Sequence, residues 1–395
     1  MSASKINFKT IFRATIRNAV LLVNIFFVLL YVLGVLSTIV SPQSLLYISY
    51  FGLFFPFIVA VNLFFIVFWM IKRRRYWLIS LCLIVCTFYH ANNVFTIPFG
   101  RLSKKSYNTE VKLLSYNISS LSEVKKFDDF IDFIDSVSPD IVCFQEFGFY
   151  QNDHNKNRLK NAMKKRFPFS HIWYKNQTKN YSWGVATFSK YPIIKKKKID
   201  YESLYNISIY SDVVINSDTI RLINNHLESN KFTLSDIKQY RSLDDNLSSD
   251  NIKNISALLS RKMSKAYKIR ASQAIIVRKE IDRSPYKTVV CGDFNDVVES
   301  YVYHKIKGNL RDVFTATSWG YRYSFRKNYM FVGIDHILID KNLVPISLHI
   351  EPKTFSDHYP LIGIWGIKTD KTTGERGLSR KFCLYLPLES YWYIF

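Results

Sequence analysis

Chemically active side chains recur at the ends of short apolar runs beyond the first quarter of the chain. The six motifs that contain them are Ser-Tyr-Asn117, Gln-Glu146, Asn225-His226-Leu, Gly-Asp293-Phe-Asn295, Ile-Asp335-His-Ile-Leu and Ser-Asp357-His358-Tyr-Pro. Polar residues that follow a rigid strand are where function concentrates in globular domains. Residues two apart in an extended segment share a face, so we expect Asp293 and Asn295 to point into one site.

The residue types in these motifs favour hydrolysis of a phosphoester with the help of a metal ion. Carboxylate and amide oxygens without thiolates suit a hard cation such as Mg²⁺ or Mn²⁺. Two histidines beside carboxylates suit proton transfer and charge stabilisation at a phosphate. The chain contains neither a Gly-x-x-x-x-Gly-Lys loop nor a Gly-x-Ser-x-Gly turn. These absences argue against P-loop nucleotide hydrolysis and against an α/β-hydrolase serine nucleophile.

The elements that must position these side chains are short strands and a few amphipathic helices. The apolar runs at 111–118, 140–144, 183–189, 220–227, 288–291, 334–339 and 361–367 predict strands. Apolar residues at helical spacing predict helices over 121–137 and 263–281. Strands and helices alternate irregularly, which favours a mixed sheet arrangement over a strict βαβ repeat.

In their types and order, the six motifs resemble the endonuclease/exonuclease/phosphatase superfamily, which has the DNase I-like fold. The resemblance covers about residues 111–367 and is to the membrane-anchored bacterial type with N-terminal transmembrane helices. It implies an α+β fold, a four-layer α/β/β/α sandwich with two mixed sheets face to face. It also implies divalent-metal-dependent hydrolysis of phosphodiester or phosphomonoester bonds.

The resemblance implies three residues on the metal side of the site. Glu146 looks like the principal ligand of Mg²⁺ or Mn²⁺, and Asn117 looks like its neighbour at the metal. Asp357 resembles the second acidic residue of the family near the metal.

The other five matched residues are implied to act on water and phosphate. Asp293 resembles the residue that orients or deprotonates the attacking water, and Asn295 resembles one that helps to hold the phosphate. His358, oriented by Asp335, and His226 look like histidines that contact the scissile phosphate. Which of Asp293, His226 and His358 is the general base stays open.

The first quarter of the chain has the composition of a membrane region. Residues 1–100 hold eight basic residues and no Asp or Glu. Apolar stretches at about 19–40, 45–71 and 77–97 are each close to the roughly 20 residues that a helix needs to cross hydrocarbon. We therefore predict three transmembrane helices in a multi-pass protein of the cell membrane. A cleaved signal peptide and a buried core are the disfavoured alternatives.

The distribution of basic residues predicts the orientation of these helices. Four basic residues lie near the N-terminus and four at Lys72–Arg75, whereas the loop between the first two stretches has none. The positive-inside rule then places both basic segments in the cytoplasm and the catalytic domain on the extracytoplasmic side.

The sequence thus divides into a membrane region at 1–100, a catalytic domain at 105–367 and a basic, then aromatic, tail at 368–395. The polar segment 231–254 is interpreted either as a lid over the site or as a plain disordered loop. The five cysteines are too few and too scattered for a disulfide scaffold, and Cys143 and Cys291 are expected to be buried thiols.

Three functions remain open at this stage. Outside the membrane region the chain has 46 basic and 31 acidic residues, and this excess and the Lys195–Lys198 run suit a nucleic acid, although a solvated basic surface explains them equally well. A phospholipid or sphingolipid head-group phosphodiesterase is the alternative, because an anchored domain lies near lipid. The third hypothesis is a non-catalytic binding or scaffold protein on the same fold. No obligate protein partner is inferred.

Overall fold

The computed structural model describes residues 8–98, 107–150, 154–231, 249–327 and 331–368. Most of the predicted insertion at 231–254 and the tail at 368–395, apart from their described ends, lie outside these residues. The roles suggested for both segments stay predictions.

The described residues form fifteen strands and ten α-helices. The strands are β1 (Phe95–Thr96), β2 (Tyr107–Asn117), β3 (Ile141–Gln145), β4 (Phe149–Tyr150), β5 (Phe169–Gln177), β6 (Tyr181–Ser189), β7 (Ile193–Ile199), β8 (Ser208–Ile215), β9 (Asp218–His226), β10 (Lys287–Asp293), β11 (Arg311–Asp312), β12 (Gly320–Tyr321), β13 (Asp335–Ile339), β14 (Leu343–Ile350) and β15 (Leu361–Lys368). The helices are α1 (Phe8–Leu36), α2 (Ile48–Leu53), α3 (Phe55–Ile71), α4 (Trp77–Cys86), α5 (Phe88–Val94), α6 (Phe127–Val137), α7 (His154–Arg166), α8 (Ser249–Asp282), α9 (Tyr301–Lys307) and α10 (Val313–Thr317).

Two mixed sheets carry most of the strands. The first has the order β14-β15-β2-β3-β6-β4, with β5 also paired to β6, and the second has the order β11-β13-β10-β9-β8-β7. In each sheet one central pair is parallel, β2 with β3 and β9 with β10, and the remaining pairs are antiparallel. The parallel pairs matter for function because both of their strands end at the same edge of the sheet.

Alternating side chains along the strands build three apolar layers. Between the sheets, Leu113 and Cys143 of the first sheet belong to the same buried cluster as Leu222 and Cys291 of the second. On the outer face of the first sheet, apolar residues pack against α6 and α7. On the outer face of the second sheet they pack against α8 and α9. The predicted four-layer α/β/β/α sandwich is confirmed, and both core cysteines are free thiols.

The prediction of three transmembrane helices is wrong. Only one helix in the described part of the chain is long and apolar enough to cross a membrane by itself, from Ile11 to Leu36. The second apolar stretch is divided at Phe54, because Pro56 occupies the first turn of α3 and favours the start of a helix over its continuation. The remaining α3 has 17 residues. The third stretch bends by 85° between α4 and α5, so it is at most a broken span.

Buried polar side chains connect α1, α3 and α4. The amide of Asn24 donates to the Ser80 hydroxyl at 2.9 Å, and this hydroxyl donates to the Asn62 carbonyl at 3.0 Å. The indole of Trp69 donates to the carbonyl of Asn24 at 3.0 Å. Hydrogen bonds of this kind hold helices together where apolar surroundings provide no alternative partner.

The sandwich contacts the segment that follows α1. Gln43 donates to the Ser272 hydroxyl on α8 at 2.6 Å, and the hydroxyl of Tyr50 lies 3.3 Å from that of Ser264. The hydroxyl of Ser37 donates to the backbone carbonyl of Glu299 at 2.9 Å. The helical region and the sandwich therefore meet through polar contacts at the C-terminal end of α1.

We predict that Gly292→Ala destabilises the fold far more than Gly320→Ala does. Both glycines have a positive φ, +120° and +98°. A Cβ at Gly292 would lie 2.1 Å from the Asn225 carbonyl oxygen on the neighbouring strand, whereas a Cβ at Gly320 meets nothing within 4 Å. The backbone conformation alone costs about 1–3 kcal/mol, and the clash at 292 adds to this cost.

Thermal unfolding of the two purified variants in detergent measures the difference. The unfolding midpoint of Gly292→Ala should be well below that of Gly320→Ala. Equal midpoints would show that the close approach of β9 and β10 at this position does not matter for stability.

Candidate active site

The ends of the central strands bring the predicted site residues to one edge of the sandwich. In the first sheet Asn117 pairs with Gln145, so Glu146 follows immediately at the same edge. In the second sheet Asp293 pairs with His226 on one side and with Asp335 on the other. The parallel pairs β2–β3 and β9–β10 end together, and the two sheets face each other. Residues far apart in the sequence therefore converge.

An amide lies between two carboxylates at the centre of this edge. The side-chain nitrogen of Asn117 donates to Asp293 Oδ2 at 3.0 Å and to Glu146 Oε1 at 3.3 Å. The same nitrogen is 3.5 Å from His358 Nε2. Asn117 is fully buried, while Glu146 keeps a side-chain exposure of 23%. The opening of the site is thus on the side of Glu146.

His358 is held by a buried chain of hydrogen bonds. Its Nδ1 lies 2.8 Å from Asp335 Oδ2, and that oxygen accepts a hydrogen bond from the Ser324 hydroxyl at 2.6 Å. The other ring nitrogen, Nε2, is 3.8 Å from Asp293 Oδ2. The carboxylate of Asp335 therefore orients the ring and directs Nε2 toward the centre of the site.

His226 approaches the same centre from β9. Its Nε2 is 3.6 Å from Glu146 Oε1, 3.8 Å from Asp293 Oδ2 and 2.9 Å from the side-chain nitrogen of Asn206. The Nδ1 atom is buried and has no hydrogen-bond partner among the described residues. The ring of Trp183 stands beside the imidazole, with centroids 6.4 Å apart.

Two site residues have an unusual backbone conformation. Glu146 has φ = 50° and Asn295 has φ = 52°, which is the left-handed region. The side chain of Asn295 donates to Asp293 Oδ2 at 3.1 Å and to the Leu227 carbonyl at 3.0 Å, and its backbone nitrogen donates to Asp293 Oδ1 at 2.8 Å. Left-handed non-glycine residues cluster at functional sites. At both positions the turn directs the side chain back toward the site.

Asp357 lies beside this group and has different partners. Its Oδ2 atom lies 3.0 Å from the ammonium of Lys327, and the hydroxyl of Ser356 is 3.3 Å from Oδ1. Asp357 is still close enough to contribute to the raised pKa of Glu146. Among the described residues at this edge, the ligand atoms of Asp293, Asp335 and His358 all lie within 4.8 Å of one another. A direct role of Asp357 at a metal stays a prediction.

Burial and mutual charge shift the pKa values of the site in opposite directions. Desolvation raises the pKa of Glu146 and of Asp293 to about 7 each. Desolvation, with His358 adding to it, lowers the pKa of His226 to about 3. Burial would also lower the pKa of His358, but the carboxylates of Asp335 and Asp293 outweigh it and raise that pKa to about 10. The site thus combines a neutral histidine with a cationic one.

The donor set fits a hard divalent cation. The carboxylates of Glu146 and Asp293 converge on the Asn117 amide without any thiolate, and carboxylate oxygens are the ligands that Mg²⁺ and Mn²⁺ prefer. The raised pKa values of Glu146 and Asp293 reflect the cost of removing each carboxylate from water. A cation bound between them would remove that cost.

Two buried polar residues on α8, Arg270 and Gln273, have structural partners. The guanidinium of Arg270 donates to Asp296 at 3.2 Å and to the Glu228 carbonyl at 2.8 Å. The amide of Gln273 bonds the backbone of Glu228 and Glu202. Both residues hold the loops behind the site together.

Sequence reasoning missed the residues that support the site. Asn206 contacts His226, Ser324 contacts Asp335, and Lys327 pairs with Asp357. All three lie in connecting segments outside the six motifs, and none follows an apolar run of strand length. No signal in the sequence distinguishes them from ordinary loop residues.

Comparison with known families gives two matches along the chain. Residues 114–358 match the model described as the Endonuclease/Exonuclease/phosphatase family. Residues 17–94 match a model described as a domain of unknown function (DUF8431). No curated protein matches the sequence.

Several solved structures are similar to this chain at low sequence identity. A truncated TDP2 from Caenorhabditis elegans is 18% identical, with coverage of 65% of this chain and 97% of that one and a TM-score of 0.44. A Bacteroides thetaiotaomicron protein of the endonuclease/exonuclease/phosphatase family is 14% identical, with coverage of 68% and 100% and a TM-score of 0.46. The beta toxin 275-280 from Staphylococcus aureus is 19% identical, with coverage of 64% and 99% and a TM-score of 0.44.

We predict that Asp335→Asn lowers the pKa of His358 in the metal-free protein. The Asp335 carboxylate is the largest contribution that raises this pKa, so its neutralisation lets burial dominate. NMR titration of ¹³C-labelled histidine in the presence of chelator measures the change. Asp340→Asn, directly after the other end of β13, is the matched control and should leave the titration unchanged. An unshifted His358 in Asp335→Asn would contradict the assigned hydrogen bond.

Proposed function

The chain belongs to the endonuclease/exonuclease/phosphatase family, and on this premise we propose that it is a divalent-metal-dependent, nuclease-like phosphodiesterase. The observation that carries the proposal is the convergence of Glu146, Asn117, Asp293 and His358 at one edge of the sandwich. A non-catalytic scaffold has no need for a buried carboxylate, a partly buried carboxylate and two histidines at such distances.

The metal, Mg²⁺ or Mn²⁺, is assigned to Glu146 and Asn117, with Asp357 next to it. A bound ion would act as a Lewis acid that offsets the negative charge of the phosphate and of the leaving oxygen. A bound cation would favour the ionised form of Glu146, because it would counter the desolvation that raises the pKa of Glu146 to about 7. Asn117 connects Glu146 to Asp293 through its amide.

The remaining residues are assigned to water and phosphate. Asp293 orients the attacking water, and its raised pKa of about 7 suits proton transfer near neutral pH. Asn295 holds the carboxylate of Asp293 in place. His358, with a raised pKa, donates a hydrogen bond and positive charge to a phosphate oxygen. His226 offers a neutral imidazole to the same phosphate.

We further propose that α1 anchors the protein and that the catalytic domain is extracytoplasmic. Along α1, nine large apolar side chains between Phe8 and Leu29 are exposed, as contact with hydrocarbon requires. Lys9, Arg13 and Arg17 lie in the N-terminal half of this helix. The catalytic domain contacts the other end, at Ser37 and Gln43. The positive-inside rule then favours opposite sides of the membrane for the basic residues and the catalytic domain.

A lipid head-group phosphodiesterase is the second candidate, and one observation favours it. Leu204 and Tyr205 are exposed on the loop whose Asn206 contacts His226. The backbone carbonyl of Tyr205 accepts a hydrogen bond from the indole of Trp183 at 3.0 Å. Exposed apolar side chains next to the site suit contact with acyl chains more than with a nucleic-acid backbone.

We predict that the purified full-length protein hydrolyses a phosphodiester only with Mg²⁺ or Mn²⁺. Glu146→Ala and His358→Ala should each reduce the rate by about 10²–10³, which is the usual effect of losing one such electrostatic group. His349→Ala, an exposed histidine on β14, is the matched control and should keep full activity. Full activity in excess chelator would contradict the metal role.

The same assay distinguishes the two substrate classes. Plasmid DNA, RNA and radiolabelled phospholipid are compared in parallel under identical detergent and metal conditions. Cleavage of nucleic acid supports the first proposal, and cleavage of lipid alone supports the second. Leu204→Ser should lower the rate on lipid and leave the rate on DNA unchanged if apolar contact matters.

We predict that external protease digests the catalytic domain in intact cells that express the full-length protein. The reason is that the basic residues lie near the N-terminal end of α1, whereas the catalytic domain contacts the chain after its C-terminal end. Immunoblotting of the catalytic domain before and after lysis measures accessibility. Digestion that requires lysis would reverse the proposed orientation.

A further inference from the structure

A second cluster of metal-ligand side chains lies where the helical region meets the catalytic domain. It consists of His90 on α5, Glu299 in the loop after β10, and His304 on α9, and we call it the junction cluster. One ligand atom of each residue lies within 4.8 Å of those of the other two. None of the three residues belongs to the active site described above.

Glu299 is the centre of the junction cluster. Its side chain is 1% exposed, and its Oε2 lies 2.6 Å from His90 Nδ1. Its Oε1 accepts a hydrogen bond from the amide of Asn93 at 2.9 Å. One carboxylate oxygen therefore faces the histidines, while a neighbouring donor fixes the other oxygen. This division of roles is typical of a metal-bound carboxylate whose second oxygen is held by an outer hydrogen bond.

His304 completes the cluster with a buried, unpartnered nitrogen. Its Nε2 is inaccessible to solvent and has no hydrogen-bond partner among the described residues. The ring stacks on that of His90 with centroids 5.8 Å apart and an interplanar angle of 28°. A buried polar atom without a partner costs about 1–3 kcal/mol, so such an atom calls for a ligand.

The donor chemistry of this cluster differs from that of the active site. Two imidazoles and one carboxylate form the ligand set that zinc and related transition metals prefer, with a fourth position for water. The centre of the active site offers the carboxylate oxygens of Glu146 and Asp293, which suit Mg²⁺ or Mn²⁺. The two sites should therefore be selective for different cations.

We propose that His90, Glu299 and His304 bind a divalent transition metal of the zinc class. The ion connects α5 of the helical region to the catalytic domain. Glu299 lies four residues after Asn295. Its backbone carbonyl also accepts a hydrogen bond from the Ser37 hydroxyl. The site thus fixes the segment that follows the active-site strand β10 against the helical region. The proposal does not depend on the proposed function, because it requires no reaction.

Zinc stoichiometry tests the proposal in a background where the active site is impaired. Full-length Glu146→Ala protein in detergent is stripped with chelator, incubated with Zn²⁺ in excess Mg²⁺, desalted and analysed by mass spectrometry for metals. We expect about one zinc per chain, lost when His90→Ala or His304→Ala is added and retained with His349→Ala. Zinc absent from the parent, or equally bound by all variants, would overturn the proposal.

Two further measurements keep the test valid if a histidine variant folds poorly. Glu299→Gln preserves the shape of the side chain and should also lose zinc, with circular dichroism as the check on folding. Co²⁺ added to the otherwise wild-type junction cluster should give the intense visible absorption of a four-coordinate site. Weak octahedral absorption, or a spectrum unchanged by His304→Ala, would refute the junction site.

Discussion

The rest of the structure depends on one interaction, in which the Asn117 amide donates hydrogen bonds to two carboxylates. Asn117 donates to both Glu146 and Asp293, and these groups come from different sheets. Burial raises the pKa of each to about 7. This arrangement costs free energy by itself, and a cation bound between the carboxylates would offset that cost. The sandwich can maintain it because three apolar layers supply the stability elsewhere.

The backbone supports this electrostatic arrangement with equal specificity. Two parallel strand pairs end at one edge, so the register of these pairs places three of the site residues, Asn117, His226 and Asp293. Left-handed turns at Glu146 and Asn295 then direct side chains back over that edge. Gly292 permits the close approach of β9 and β10 just before Asp293. The convergence of the site residues is therefore a consequence of strand pairing, and a small change in register would separate them.

The helical region is connected to this frame through the segment after β10. Ser37, His90 and Asn93 all contact Glu299, which lies close in sequence to Asp293 and Asn295. Asp296 in the same segment is tied to Arg270 on α8. Both α8 of the sandwich and the helical region thus restrain the short loop after β10. A metal ion at the junction cluster would strengthen the restraint without entering the reaction.

The sequence by itself determined the family, the sandwich and the identity of the polar motifs. Apolar runs of strand length that end in Asn, Glu, His or Asp are local patterns. Such patterns can be recognised from neighbouring residues in the sequence, without knowledge of the fold. Tertiary structure decided what those patterns could not. Hydropathy predicted three membrane spans. In the described residues, Pro56 divides the second apolar stretch and an 85° bend between α4 and α5 divides the third, so only α1 is long enough to span a membrane by itself. Asn206, Ser324, Lys327 and the junction cluster depend on contacts between segments up to about 200 residues apart, and no local pattern encodes such contacts.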